Sequence, residues 1–399
     1  MKMNKVAFAV IATLGSGIAV AVENSDATTV TWSIETGLGY ESNAYHAPDH
    51  SYIDWYADPS GLLPPVKPEE QAGIFIPLKI DAAMANPIAA QTDLVATYKF
   101  SGFYFPDSAL NDASSTDHQV SVGADSKLGQ DGKQGKSYVG VFVRSHDKVY
   151  VDRDSGDPKT SAAALDVSNR YSYQSFGVEG DYERKLSRKN SVGVKAAYET
   201  LDYATPDAWS EYDHTYTMLG AYWDHSLAKG TKLKLGVTSE TRDYKYRHTF
   251  DATGTLLGSN PLLVYSYMGY DIGVRHRLSD STVAYLDYEM LQRRDNHVGY
   301  NDMDQSQVKL RLIHDLNDQF RLRAKVALTD RDYLNAFNFE DPAQGSKSAS
   351  AVDVQLRGEY SNSDNKTYYL ELEQNSHDNT DDRYQYNNSS VLLGAKWEF

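Results

Sequence analysis

The sequence predicts an all-β fold, a single antiparallel transmembrane β-barrel of about sixteen strands, with fourteen to eighteen left open. Three observations predict it. Apolar and polar side chains alternate with a period of two in segments spread along the whole chain. Short polar turns alternate with long loops. The chain is polar on average, with a mean hydropathy of −0.56, and its one long apolar run lies near the first residue.

The alternation comes first because it assigns the two faces of the wall. Val30, Trp32, Ile34, Leu38 and Tyr40 share one face, while Thr29, Thr31, Ser33, Glu35 and Glu41 share the other. Val391, Leu393, Ala395, Trp397 and Phe399 repeat the pattern against Ser390, Lys396 and Glu398. Leu322, Ala324, Val326 and Leu328 alternate with Arg321, Arg323 and Lys325, and Val308, Leu310 and Leu312 with Lys309 and Arg311. One such stretch describes any half-buried strand; so many describe a wall with lipid on one side and water on the other. Tyr is abundant, at 30 against 12 Phe and 5 Trp. It suits both a lipid interface and a wet lumen, because the ring is apolar and the hydroxyl can be hydrated.

The connections come next. Short turns are expected at residues 187–190, 228–230, 279–281 and 316–319, and long loops at 42–70, 145–170, 242–262, 331–348 and 375–386. Sixteen segments follow, beginning near Thr28, Gln71, Thr92, Asp117, Ser137, Tyr171, Ser191, Asp213, Thr231, Leu263, Thr282, Asp304, Phe320, Ala349, Thr367 and Asn388. Those near Asp117 and Asp213 carry the weakest pattern. Tyr244, Tyr246, His248 and Phe250, at alternate positions, read as a strand continuing above the membrane.

The apolar run completes the case. Lys2 and Lys5 precede apolar residues 6–20, and Ala19-Val20-Ala21 follows the A-x-A form of a cleavage site. Residues 1–21 are therefore expected to be a signal peptide and residues 22–399 the barrel. There is no cysteine, which excludes thiol catalysis, thiolate metal sites and a disulfide framework. A net charge of −16 argues against a nucleic-acid partner, since phosphate binding needs a basic footprint. Neither G-x-S-x-G nor H-E-x-x-H occurs. Asp152-Arg153-Asp154-Ser155-Gly156-Asp157 lacks the closing glutamate of a calcium loop and reads as an exposed acidic loop. No enzyme activity, cofactor or metal is expected.

Two motifs carry resemblances. Gly394-Ala395-Lys396-Trp397-Glu398-Phe399 resembles the C-terminal recognition signal of outer-membrane proteins, with Gly394, Trp397 and Phe399 in the signal positions. That resemblance implies assembly by the barrel assembly machinery, and outer-membrane lipid and lipopolysaccharide as surroundings. Gly37-Leu38-Gly39-Tyr40-Glu41-Ser42-Asn43-Ala44-Tyr45 resembles the opening strand of β-barrel porins of the exopolysaccharide-secretion type. It implies an outer-membrane conduit for exopolysaccharide, working with a periplasmic polysaccharide-export protein. The alternatives are a diffusion porin for small solutes or oligosaccharides, and a non-conducting structural or adhesion barrel.

A barrel of this size is wide enough for water, so its inner face carries the chemistry. With both termini periplasmic, Lys232, Lys234, Arg275, Arg277, Lys309, Arg311, Arg321, Arg323 and Lys325 fall on the inner face of the periplasmic half. The expectation is a basic wall that attracts an anionic solute, because a low-dielectric channel focuses charge. The competing expectation is that these bases pair with acids and brace the wall. Tyr45, Tyr52, Trp55, Tyr56 and Trp209, in long loops, are candidates for stacking on sugar rings or for anchoring the loops. Leu62-Leu63-Pro64-Pro65-Val66 either enters the pore or caps the mouth.

Overall fold

A computed structural model of the chain describes residues 28–54, 62–129, 132–159, 166–204, 212–337, 345–363 and 365–399. The expected signal peptide, Trp55, Tyr56 and Trp209 lie outside the described residues. Sixteen strands run in order: β1 (Thr29–Glu41), β2 (Gly73–Ala89), β3 (Thr92–Tyr104), β4 (Ser115–Leu128), β5 (Gly135–Lys148), β6 (Tyr173–Lys185), β7 (Asn190–Tyr203), β8 (His214–Ala228), β9 (Thr231–His248), β10 (Leu262–Arg277), β11 (Thr282–Asp295), β12 (Met303–Asp315), β13 (Phe320–Phe337), β14 (Ser346–Ser363), β15 (Lys366–Asn379) and β16 (Tyr386–Glu398). Each pairs antiparallel with its sequence neighbours, and β16 pairs with β1, so the barrel is closed. Closure leaves no sheet edge, which lets strands cross lipid without orphaned backbone groups.

The two weakly patterned segments form complete strands, β4 and β8. Lipid-side residues in them are small or mixed (Ala124, Ala221, Trp223), so apolar alternation is faint while the ladders to both neighbours are full. Four loops are shorter than the sequence suggests, because β5, β9, β13 and β15 continue to Lys148, His248, Phe337 and Asn379. Apolar alternation ends where lipid ends, but ladder hydrogen bonds need no apolar face and carry the hairpins onward. The strand expected to continue through Tyr244 and Tyr246 does so as far as His248, with Tyr244 buried and Tyr246 exposed. A register shift between Leu262 and Val264 on β10 breaks the period there.

At one end of the barrel the connections are tight. Ser187 Oγ accepts from the Lys189 and Asn190 amides, and Asn317 Oδ1 from the Gln319 and Phe320 amides. Such side-chain-to-backbone bonds close polar turns. Between β8 and β9 the chain reverses at Gly230, whose φ of +84° favours glycine. At the other end lie the long connections. These are called the turn end and the loop end below.

Leu38, Val139, Leu219, Leu310, Leu370 and Leu393 are among the apolar side chains exposed on the outside, where lipid covers them. Trp32, Tyr182, Phe320, Tyr368 and Phe399 are also exposed near the turn end, in the position of an interfacial aromatic girdle. The closing seam is sealed there: Trp32 and Phe399 exchange both backbone hydrogen bonds, at 3.0 and 2.8 Å, and their rings stack at 4.0 Å.

Candidate channel lumen

Period two places a polar residue inward at every second position, and strand register then decides which charges meet. At the turn end the expected basic residues meet acids across the strands. Lys309 Nζ lies 3.2 Å from Glu289, Arg311 3.1 Å from Asp287, Arg321 2.6 Å from Asp315 and Arg323 3.0 Å from Glu359. Arg275 Nε donates to the Tyr285 hydroxyl, Lys234 sits over the Tyr222 ring, and Arg277 donates to the Ser279 and Asp280 carbonyls. Lys234, Lys309, Arg311 and Lys325 border one cavity of about 670 Å³, and Arg321 and Arg323 border another of about 880 Å³. Lys232 is exposed at the start of β9. The wall is thus a cross-strand network rather than a field of one sign.

Its hub is Arg357, which the sequence reading passed over. This guanidinium is 3.0 Å from Glu35 on β1, 2.9 Å from Glu359 on its own strand and 3.4 Å from Glu371 on β15. It also lies 3.5 Å above the Tyr369 ring. Tyr369 in turn lies flat over Gly394, where an added Cβ would strike the ring. Phe75 covers Gly39 in the same way. Glycines on the inner wall of the seam thus make room for large neighbouring side chains to lie along the sheet.

The first loop packs against this seam. Tyr45, Phe75, Phe105, Leu110, Tyr369 and Leu392 form one buried cluster, in which Tyr45 comes from the first loop and Leu110 from a 3₁₀ helix, Ser108–Ala113. Tyr45 donates to the Ala109 carbonyl at 2.8 Å, and burial pushes its phenol up to about 12. Tyr52 donates to Asp154 at 2.7 Å, and burial first, then that carboxylate, raises its phenol far above the ordinary value. Both tyrosines are buried, with 6% and 5% exposure, so they anchor the loop and offer no face to a sugar. Leu62 and Leu63 are exposed, and Val66 pairs with Tyr52 in an isolated bridge, which ties this piece to the first loop. The Asp152–Asp157 run serves as a loop contact: Asp152 pairs with Lys159, and Glu69 and Gln71 bond to the carbonyls of Asp154 and Ser155.

The loops meet at the loop-end mouth. Asp49 bonds to Asn387 at 2.6 Å, His50 lies 3.6 Å from Asp382, and Arg153 from the β5–β6 loop sits 5.0 Å over Tyr384 of the β15–β16 loop. Next to them, on β9 to β13, inward arginines lie against tyrosines: Arg242 over Tyr267, Arg247 over Tyr212 and Tyr244, and Arg293 over Tyr265 and Tyr333. Period two alone places Arg242, Arg293 and Arg331 inward; their neutral surroundings become visible only with the register.

No family model matches the chain, and no curated protein matches it. Among solved structures it is similar to an anion-selective porin from Comamonas acidovorans, at 10% identity and a TM-score of 0.52, covering 94% of this chain and 99% of that one. It is also similar to the outer-membrane channel DcaP of Acinetobacter baumannii, at 11% identity and a TM-score of 0.51, covering 94% and 99%. OmpF of Salmonella typhi, in complex with daunomycin, matches at 11% identity and a TM-score of 0.51, covering 93% and 97%. The shared feature is the fold. This chain shares with these outer-membrane proteins the fold of a closed sixteen-strand antiparallel β-barrel.

Proposed function

We propose that the protein is a passive outer-membrane channel. The observation that carries this is the closed sixteen-strand wall whose inner face holds paired charges around cavities of about 880 and 670 Å³. Ion pairs hydrated on an inner wall suit a water-filled passage, because burying them in a dry core would cost several kcal/mol per ion. The narrower reading is export of an exopolysaccharide with a periplasmic export partner; its support is the opening-strand resemblance at residues 37–45. The second reading, a diffusion porin for small solutes, is favoured by the loops that meet across the mouth.

Single-channel conductance of the refolded barrel tests the class: discrete openings are expected, and a silent bilayer rejects it. Deleting the gene separates the two readings: polymer retained in the periplasm supports export, and normal surface polymer rejects it. Neutralising Lys309, Arg311, Arg321, Arg323 and Lys325 to Gln leaves their acids unbalanced, so selectivity should move toward cations. Unchanged selectivity would show that the turn-end wall does not face the ion path.

A further inference from the structure

We propose that Arg242, Arg247, Arg293 and Arg331 form a ladder at the loop end of the lumen that binds a linear solute bearing several carboxylates, an acidic oligosaccharide by chemistry. The inference deepens the channel reading above by naming the class of solute, and it rests on that reading for access from solution.

The two ends of the lumen differ in how their cations are compensated. At the turn end Lys309, Arg311, Arg321 and Arg323 each have a carboxylate at 3.2 Å or closer. At the loop end of β9 to β13, among the described residues, the four arginines have neutral partners. Arg331 donates twice to Gln305 Oε1, at 3.0 and 2.8 Å, and Arg293 twice to the Asn301 carbonyl, at 3.0 and 2.6 Å. Arg242 lies 5.0 Å over Tyr267, Arg293 4.7 Å over Tyr265, and Arg247 4.6 Å over Tyr212. The acids nearest these arginines, Glu240 toward Arg242 and Asp302 toward Arg293, form no ion pair with them, and Asp302 accepts the Asp295 amide. Glu240 takes the Tyr216 hydroxyl, Glu199 takes Ser175 at 2.5 Å, and Asp295 takes the amides of His297 and Gly299. Arg242 also hydrogen-bonds to Tyr244 and Arg247 to Tyr212, both neutral phenols, so neither guanidinium is held by a carboxylate.

The rings explain why arginine stands here. Tyr244, Tyr265 and Tyr267 are buried at 7–8% exposure, so they are supports rather than stacking platforms. A guanidinium held over a fixed ring has already lost much of its rotamer freedom. Its fork then matches a carboxylate with two parallel hydrogen bonds.

Spacing argues for a chain rather than a single small anion. Arg242, Arg293 and Arg331 stand on β9, β11 and β13, with Tyr265 and Met303 or Gln305 on the strands between. Alternate strands are about 10 Å apart, so one small oxyanion cannot bridge two of these positions. Arg247 adds a fourth position toward the mouth, where the register shift at Leu262 and Val264 turns it over Tyr244.

The test uses the refolded full chain in planar bilayers, with oligogalacturonate as the acidic probe and a malto-oligosaccharide of equal length as the neutral one. Oligogalacturonate should interrupt the current and the neutral sugar should not. R242Q/R293Q and R293Q/R331Q should each raise the half-blocking concentration about a hundredfold, the product of two lost charge-assisted contacts of about tenfold each. K229Q, at the exposed β8–β9 turn, should leave it unchanged. Heat-modifiable migration on gels checks that the variants are folded, and R293K, which keeps the charge but not the fork, should block with intermediate strength. Equal block by the neutral sugar, or unchanged block in both double variants, overturns the proposal. So does displacement by inorganic phosphate at equal charge concentration, which would mark a simple oxyanion site. If the barrel does not conduct, the channel reading fails by itself. Calorimetry of oligogalacturonate with the detergent-folded barrel then decides the site, and absence of binding heat overturns it.

Discussion

Arg357 stands between three carboxylates from three strands, all partly shielded, with Tyr369 beneath it. Removing a shared cation leaves several like charges facing one another, which costs far more than losing one exposed pair. R357M should therefore lower stability by roughly 2–4 kcal/mol in urea unfolding of the folded barrel. E371Q, which leaves Glu35 and Glu359 paired, should cost clearly less. Trp32 and Phe399 carry the seam at the same scale. A double-mutant cycle with W32A and F399A should show about 1 kcal/mol of coupling, the value of a stacked aromatic pair. Additive losses would mean that the rings contribute only through lipid contact.

His50 is a residue whose effect depends on pH. Its hydrogen bond to Asp49 raises its pKa above the usual value, and Asp382 adds to this. A group whose folded pKa is raised stabilises fully below its unfolded value and loses that contribution as pH rises through the folded value. The contact between the first loop and the β15–β16 loop should therefore tighten in mild acid. Protease cutting of residues 42–72 should be slower at about pH 5.5 than at about pH 8, and H50Q should remove the difference.

At the scale of elements, the strands depend on which side chains the register places side by side. Gly394 on β16 is covered by Tyr369 on β15, its register partner. G394V should push that ring away from Arg357 and cost roughly 1–3 kcal/mol by overpacking, read as a lower urea midpoint. The β8–β9 hairpin depends on the positive φ of Gly230, so G230A should cost about 1 kcal/mol in the same measurement. Strand existence was legible in the sequence: all sixteen starts fall within three residues of the observed ones. Strand ends at the loop side were not, because the signal followed was lipid contact, and β5, β9, β13 and β15 outlast the lipid.

At the scale of the molecule, the closed barrel predicts a refolded protein with β-dominated circular dichroism that stays in solution only with detergent or lipid. A helical spectrum would contradict the closed ladder of β1 to β16. The inner wall was half legible. Period two placed Lys309, Arg311, Arg321, Arg323 and Lys325 inward, but whether each met an acid could not be read from one strand. The loop-end arginines carried the same inward signal, without any mark of their neutral surroundings.

By itself the sequence determined the two-sided wall, a count of about sixteen strands and the chemical character of each face, because a strand's side-chain direction is a local property with a fixed period. Only the tertiary structure decided which cations are neutralised and which stand over tyrosine, and that Tyr45 and Tyr52 lie under loops rather than in the mouth. Those outcomes depend on register between strands and on loops packing across the mouth. Both are set by backbone hydrogen bonds and shape over long stretches of chain, which no local pattern encodes.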